Sequence, residues 1–92
     1  MITSFKDEET QQLYITEKSL RFANIARVAL RKLIQLNEAG RLSDLAVTPG
    51  NRLEALKGDR VGQHSIRIND QWRICFRWAG FDAKDVEICD YH

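Results

Sequence analysis

The chain has 92 residues, of which 43% are hydrophobic and 29% charged, and its formal net charge is +1. This composition is that of one soluble globular domain with a small core, and the near-neutral net charge does not mark the whole chain as a nucleic-acid binder. No apolar run approaches the roughly 20 residues of a membrane span, and the start MITSFKDEET lacks the features of a signal peptide. We therefore predict one domain over residues 1–92, a cytoplasmic location and no membrane partner.

Charge is unevenly distributed along this near-neutral chain. Residues 18–41 contain six basic side chains and one acidic one, and residues 52–78 contain six basic and three acidic ones. Such local basic surfaces suit a phosphate-backbone partner, and they are equally typical of solvated faces.

The two cysteines, Cys75 and Cys89, form neither a CxxC pair nor a Cys/His spacing suited to zinc. In a reducing cytosol we expect both to be free thiols within strands. The sequence also lacks a carboxylate cluster with metal-ligand spacing, so neither a metal nor another cofactor is predicted.

The first half of the chain is predicted to be helical. After a short strand at residues 2–5, Ser4 with Asp7 three residues on resembles a capping box that opens a helix through about Tyr14. A longer amphipathic helix begins near residue 22 and is stopped by Gly40. Its apolar face has the spacing of a helix packed on a flat layer and consists of Phe22, Ile25, Ala26, Ala29, Leu30, Leu33 and Leu36.

Past the turn at Pro49 the pattern changes from helical to alternating. A short strand precedes the Lys-Gly-Asp turn at residues 57–59, and three strands follow as QHSIRIN, WRICFRW and VEICDYH. Helices followed by successive strands predict an α+β fold, an antiparallel meander with the helices on one face. The core face is predicted to hold Trp72, Phe76 and Trp78, with His64 packed at its edge. The opposite, polar face would carry Arg67, Arg73, Arg77 and Tyr91.

An ordered set of motifs in the second half of the chain resembles the HigB (plasmid-killer) branch of the RelE superfamily of bacterial toxins. The set comprises Leu56-Lys57-Gly58-Asp59-Arg60, Gly62, Ser65-Ile66-Arg67, Trp72-Arg73 and the final Asp90-Tyr91-His92. The start of the chain and its length match too, so the resemblance covers essentially the whole sequence. It implies a RelE-like microbial RNase fold and a type II toxin that cleaves mRNA in the decoding site of the ribosome. It also implies a cognate HigA-type antitoxin as a partner, besides the ribosome and its mRNA.

Metal-free RNA cleavage activates the 2′-hydroxyl against its own phosphodiester, and it needs a base, an acid and a cation for the phosphorane charge. Arg73 is the first candidate for the cation, because a guanidinium suits bidentate phosphate binding and the residue lies on the polar face. An exposed strand arginine paired with Glu87 is the alternative. Lys57 could stabilise the same phosphate or assist proton transfer, and Arg67 shares the face of Arg73. Both could also be solvated side chains.

The resemblance places a C-terminal functional pair at Tyr91 and His92. His92 can act as acid or base near neutral pH, whereas Tyr91, with a reference pKa of about 10, needs a nearby cation to act as a base. Asp90 is expected to orient the terminus by hydrogen bonding. Glu54 stands where some relatives have a histidine; it could act as a base or be a partly buried, salt-bridged carboxylate. Gln71 stands where relatives have Asn or another amide.

Two other functions are open at this point. The related ParE branch shares the fold and inhibits DNA gyrase by binding it, without catalysis. The terminal Tyr-His pair, Arg73 and Lys57 favour the nuclease over that function. A regulatory DNA-binding subunit that uses Arg27 and Arg31 on the basic helix face is least favoured, because no helix-turn-helix partner precedes or follows that helix.

Overall fold

The computed structural model describes residues 1–90. Within this part of the chain, two α-helices precede a four-stranded antiparallel sheet whose strands lie in their sequence order. The predicted α+β meander is therefore confirmed. Neither α-helix in residues 1–90 has the length and apolar character needed to cross a membrane. The elements are α1 (Glu8–Thr16), α2 (Ala26–Glu38), β1 (Glu54–Ala55), β2 (His64–Arg67), β3 (Trp72–Ala79) and β4 (Asp82–Asp90).

Helix α1 begins at a side-chain cap provided by Asp7. The backbone of Asp7 is extended, and its Oδ2 accepts a hydrogen bond of 3.0 Å from the Thr10 backbone N–H. Two glutamates in the first turn stabilise the helix, because their negative charges lie near the positive end of the helix dipole. Ser4, the predicted capping residue, instead accepts the Asp85 backbone N–H on its Oγ at 2.9 Å. The prediction that Ser4 caps this helix was therefore wrong, although the predicted helix itself is present.

Loss of the Asp7 cap should lower stability measurably. We expect Asp7→Ala to reduce the free energy of unfolding by about 1 kcal/mol, because the Thr10 N–H loses its acceptor and the first turn loses a negative charge. Urea unfolding followed by circular dichroism measures this difference. Asp7→Asn, which keeps a capping oxygen, is the control, and an Asp7→Ala variant as stable as the wild type would contradict the capping role.

The core lies between helix α2 and the inner face of the sheet. Ala29, Leu33 and Leu36 of α2 are fully buried, as their helical spacing predicted. Phe22 is also buried, but it precedes α2 by four residues and packs edge-on against Trp72, with ring centroids 5.5 Å apart. The helix therefore starts later than predicted. The sheet completes this core with inward-facing residues of its three longer strands: Ile66, Ile74, Phe76, Val86 and Ile88.

The outer face of the sheet is the polar one. Strand alternation assigns Arg73, Cys75 and Arg77 of β3 to it, opposite the buried residues between them. The antiparallel register places Arg67 of β2 on one side of Arg73 and Cys89 of β4 on the other. Three neighbouring strands therefore bring two guanidinium groups and both cysteines together on one face.

Cys75 and Cys89 are joined by a disulfide bond across β3 and β4. Their Cα atoms lie 6.7 Å apart, because Cys89 is the register partner of Arg73 and so a diagonal neighbour of Cys75. The prediction of two free thiols was therefore wrong. The pairing depends on strand register, which the cysteine spacing along the chain does not reveal. Leu56 forms a small buried cluster with the two cysteines on the outer face.

Candidate active site

Arg73 is held in place on the outer face by oxygen atoms from two chain segments. The residue is only 8% exposed. Its Nε donates a hydrogen bond of 2.7 Å to the Oγ of Ser65 in β2, and its Nη2 donates a longer one of 3.5 Å to the Ser65 carbonyl. The same Nη2 donates a 2.7 Å hydrogen bond to the carbonyl of Arg52. Arg73 is therefore a buried arginine with a defined orientation, not a solvated strand residue.

Glu87, which was considered as a partner of Arg73, is occupied by other cations. It lies in β4, and its carboxylate is 3.3 Å from the Lys6 Nζ and 3.5 Å from the Arg60 Nη2. The alternative of an exposed Arg73 paired with Glu87 is therefore wrong. The Glu87 carboxylate, on the same face as its register partner Cys75, is therefore neutralised by cations other than Arg73.

The Arg52 carbonyl reaches Arg73 from a tight turn after a short 3₁₀ helix. Arg52 has a left-handed backbone, with φ 44°, which is uncommon for a residue with a side chain. The preceding Asn51 is fully buried, and its Nδ2 donates hydrogen bonds of 3.0 Å to the Gln35 Oε1 and to the Leu45 carbonyl. The backbone that presents this carbonyl is therefore tied to helix α2 by a buried amide.

Lys32 of α2 completes this buried polar network. It is 9% exposed, and its Nζ donates to the Asn51 Oδ1 at 2.5 Å. Burial lowers the pKa of Lys32 below its usual 10.5, and the positive charges of Arg31 and Arg67 lower it further. Arg67 is also the cross-strand neighbour of Arg73, so it is a basic residue close to both Lys32 and Arg73.

Lys57 stands at the edge of the outer face, beside a cavity of about 340 Å³. Its extended backbone precedes the 3₁₀ turn Gly58–Arg60, in which Gly58 takes a φ of 64° that favours glycine. Glu54 lines the same cavity. Glu54 is exposed and forms no ion pair within residues 1–90, so the alternative of a partly buried, salt-bridged carboxylate is wrong. Its proposed action as a base stays a prediction.

Arg67, Gln71 and Asp90 lie where the ends of β2, β3 and β4 meet. Arg67 forms an ion pair with Asp70, three residues along the chain. Gln71 donates from Nε2 to the Asp90 Oδ2 at 3.2 Å, so the amide and the carboxylate are close together. The predicted contributions of these three residues to substrate binding or support are compatible with this placement and stay predictions.

Tyr91 and His92, the predicted catalytic pair, lie outside the described residues. They follow directly after Asp90, at the end of β4. Their roles in proton transfer stay predictions drawn from the family resemblance.

The aromatic residues of the sheet serve the core, as predicted. Phe76 is fully buried, and Trp72 and Trp78 pack partly buried against the same core. His64 stacks on Phe76 with ring centroids 6.3 Å apart. These four side chains are therefore occupied in packing and are not assigned to the candidate site.

Ser65, Asn51 and Lys32 were missed as site residues. Strand alternation placed Ser65 on the same face as Arg67, and that was the signal that could have linked it to Arg73. Asn51 and Lys32 gave no such signal, because they meet across 19 positions through a turn whose path the sequence does not define.

Two solved structures share this fold along their whole length. The YoeB–YefM toxin–antitoxin complex from Staphylococcus aureus aligns with a TM-score of 0.58 at 19% identity, over 100% of this chain and 98% of that one. The YoeB/ParE toxin from Agrobacterium tumefaciens aligns with a TM-score of 0.56 at 18% identity, over 99% of this chain and 100% of that one. The protein thus has the α+β fold of the RelE-like toxins.

Sequence comparison identifies the family within that class. Residues 3–92 match the HigB-like toxins, the RelE-like toxins of the type II toxin–antitoxin system HigB. Toxin HigB-1 of Vibrio cholerae is 41% identical over 86% of this chain and 85% of that protein. Endoribonuclease HigB of Proteus vulgaris is 32% identical, with both chains covered completely. The chain belongs to the HigB-like family of toxins, and the resemblance seen in the sequence is confirmed.

Proposed function

We propose that this toxin is an endoribonuclease that cleaves mRNA in the decoding site of the ribosome and so stops translation. One observation carries the proposal: a guanidinium fixed on the outer face of the sheet, with Lys57 at the edge of the same face. The relative from Proteus vulgaris, which matches along its full length, is named as an endoribonuclease. The toxin acts in the cytoplasm under this proposal, because ribosomes and their messages meet there.

In the proposed reaction the 2′-hydroxyl of the RNA attacks the adjacent phosphodiester, and the 5′-oxygen leaves. Arg73 neutralises the charge that builds up on the phosphorane with the positive charge of its guanidinium, whose orientation is set by the hydrogen bonds to Ser65 and Arg52. Lys57 adds a second positive charge at the edge of the face. Tyr91 and His92, which the family resemblance assigns, take the proton of the nucleophile and supply one to the leaving oxygen.

An antitoxin protein is the partner that membership of a toxin–antitoxin family implies. The related YoeB of Staphylococcus aureus is solved in a heterotetrameric complex with YefM. We propose that a HigA-type antitoxin binds this chain and keeps it inactive, so that growth stops when the toxin is made in excess of its antitoxin.

Mapping of mRNA 5′ ends in cells after a brief induction tests the function. We expect new 5′ ends inside translated frames with the wild type, and their loss in Arg73→Ala and in a chain truncated before His92. Arg77→Ala is the matched control, because Arg77 lies on the same strand and face but its side chain is 47% exposed. Growth arrest with intact messages and an induced DNA-damage response would overturn the nuclease and favour a gyrase-binding toxin.

A further inference from the structure

Ser65 is a fully buried hydroxyl residue in the middle of the sheet, with no part in the proposed proton transfers. Its Oγ accepts the Nε–H of Arg73 at 2.7 Å, and its carbonyl accepts from the Nη2 of the same side chain. A serine and an arginine on neighbouring strands thus share two contacts, although Cys75 rather than Arg73 is the direct register partner of Ser65.

The geometry of these contacts restrains the whole guanidinium. A guanidinium is planar, with five N–H donors in a rigid fork, so fixing Nε and Nη2 also fixes the direction in which Nη1 points. The restraint comes from two sides, because the Arg52 carbonyl accepts from Nη2 at 2.7 Å. Asn51, fully buried and bonded to Gln35 of α2, fixes the turn that carries this carbonyl.

We propose that Ser65 is a positioning residue, which sets the plane of the Arg73 guanidinium so that its donors meet the phosphate as the phosphorane forms. This inference rests on the proposed nuclease function of Arg73. Ser65 does not touch the substrate and acts only through Arg73. The Arg52 carbonyl, whose position is fixed by Asn51, is the second acceptor that orients the same guanidinium.

Removal of the hydroxyl should affect the chemical step more than binding. In Ser65→Ala the buried Nε–H loses its acceptor, and the guanidinium turns to find another. A displacement of about 1 Å in a catalytic group costs roughly 100-fold in rate, so we expect a 10- to 100-fold lower single-turnover rate of mRNA cleavage on ribosomes. The half-saturating concentration of the ribosome–mRNA complex should stay close to that of the wild type.

A double-mutant cycle with Arg73→Lys tests the inference. Lysine keeps the charge but has no Nε–H to donate to Ser65, so Ser65→Ala should cause little further loss in the Arg73→Lys background. Ser65→Thr, which keeps the hydroxyl, should restore most of the rate. Ser19→Ala is the control, because the Ser19 Oγ also accepts one hydrogen bond, from the Phe22 backbone N–H at 3.0 Å in another part of the chain. Its effect should be small and the same in both backgrounds.

A nuclear magnetic resonance measurement separates this inference from the proposed function. In the ¹⁵N-labelled protein the Arg73 Nε–H signal should be protected from exchange, and Ser65→Ala should shift it and speed its exchange. If Ser65→Ala does not fold, Asn51→Asp replaces it, since this variant keeps its size and the Lys32 contact but loses the donors that fix the Arg52 turn.

The outcomes differ clearly. A moved Nε–H signal together with a non-additive loss of rate supports the positioning role. An additive loss, or a wild-type rate in Ser65→Ala while Arg73→Ala is inactive, overturns the positioning role and leaves the nuclease intact. A wild-type rate in Arg73→Ala overturns the proposed site of the nuclease, and the positioning role with it.

Discussion

Replacement of Arg73 by alanine is expected to lower the single-turnover rate of mRNA cleavage on purified ribosomes by about 100- to 1000-fold. The lost guanidinium is the group proposed to meet the charge on the phosphorane, and its nearly complete burial makes such an interaction stronger than in water. The half-saturating concentration of the ribosome–mRNA complex should change far less than the rate, because this charge develops only in the transition state.

Arg73→Lys separates the contribution of charge from that of geometry. We expect it to recover only a small part of the lost rate, since lysine keeps the positive charge but cannot reproduce the planar fork held by Ser65 and Arg52. Arg77→Ala, on the same strand and face, should cleave close to the wild-type rate. Thermal unfolding of each variant checks that it is folded. A similar loss in Arg77→Ala, or none in Arg73→Ala, would contradict the role of Arg73.

The largest expected effect on stability is that of Phe22→Ala. Phe22 is 1% exposed and packs edge-on against Trp72, with the Arg21 guanidinium carbon 5.1 Å from the centre of its ring. Truncation of a buried phenylalanine lowers the free energy of unfolding by about 3–5 kcal/mol, through lost burial and the cavity that is left. A domain of this size has about 5–15 kcal/mol in total, so the variant should unfold at a much lower urea concentration.

Leu20→Ala is the matched control for Phe22→Ala. Leu20 lies two residues earlier in the same connector, but it is fully exposed. Its truncation should change the free energy of unfolding by less than about 0.5 kcal/mol. Equal destabilisation by the two substitutions would show that the connector between the helices, rather than the burial of the Phe22 ring, is what stabilises the protein.

Much of the fold could be predicted because the apolar pattern of this chain matches the period of each element. The spacing of Ala29, Leu33 and Leu36 identified the buried face of α2, and alternation in WRICFRW identified both faces of β3. The boundaries of the elements were harder to predict from the sequence. The helical spacing continues backwards through Ile25 to Phe22, but these residues reach the core from a turn, and burial alone does not distinguish a turn from a helix.

The candidate site was predictable in its residue types and only partly in its contacts. Alternation placed Arg73 on the outer face, but its burial depends on Ser65 of the next strand and on the Arg52 turn, whose contact spans 21 positions. The free-thiol prediction for Cys75 and Cys89 was wrong for a related reason. Local spacing defines which face a residue occupies, whereas its partner across the sheet depends on strand register and turn path.

The disulfide also changes how the last strand can come apart. β4 is the final strand in the sheet order. The backbone of residues 1–6 hydrogen-bonds to its outer edge at Ala83 and Val86, so the part of β4 after Val86 is the part that can fray through successive loss of backbone hydrogen bonds. The crosslink from Cys89 to Cys75 stops such fraying one residue before Asp90. Because a closed loop of this length lowers the entropy of the unfolded chain, the disulfide also raises the free energy of unfolding by about 3 kcal/mol. Tyr91 and His92, the predicted proton-transfer residues, thus come directly after a segment of β4 that is covalently bonded to β3, the strand that contains Arg73. A thiol reductant would leave only noncovalent contacts between the two arms of the hairpin.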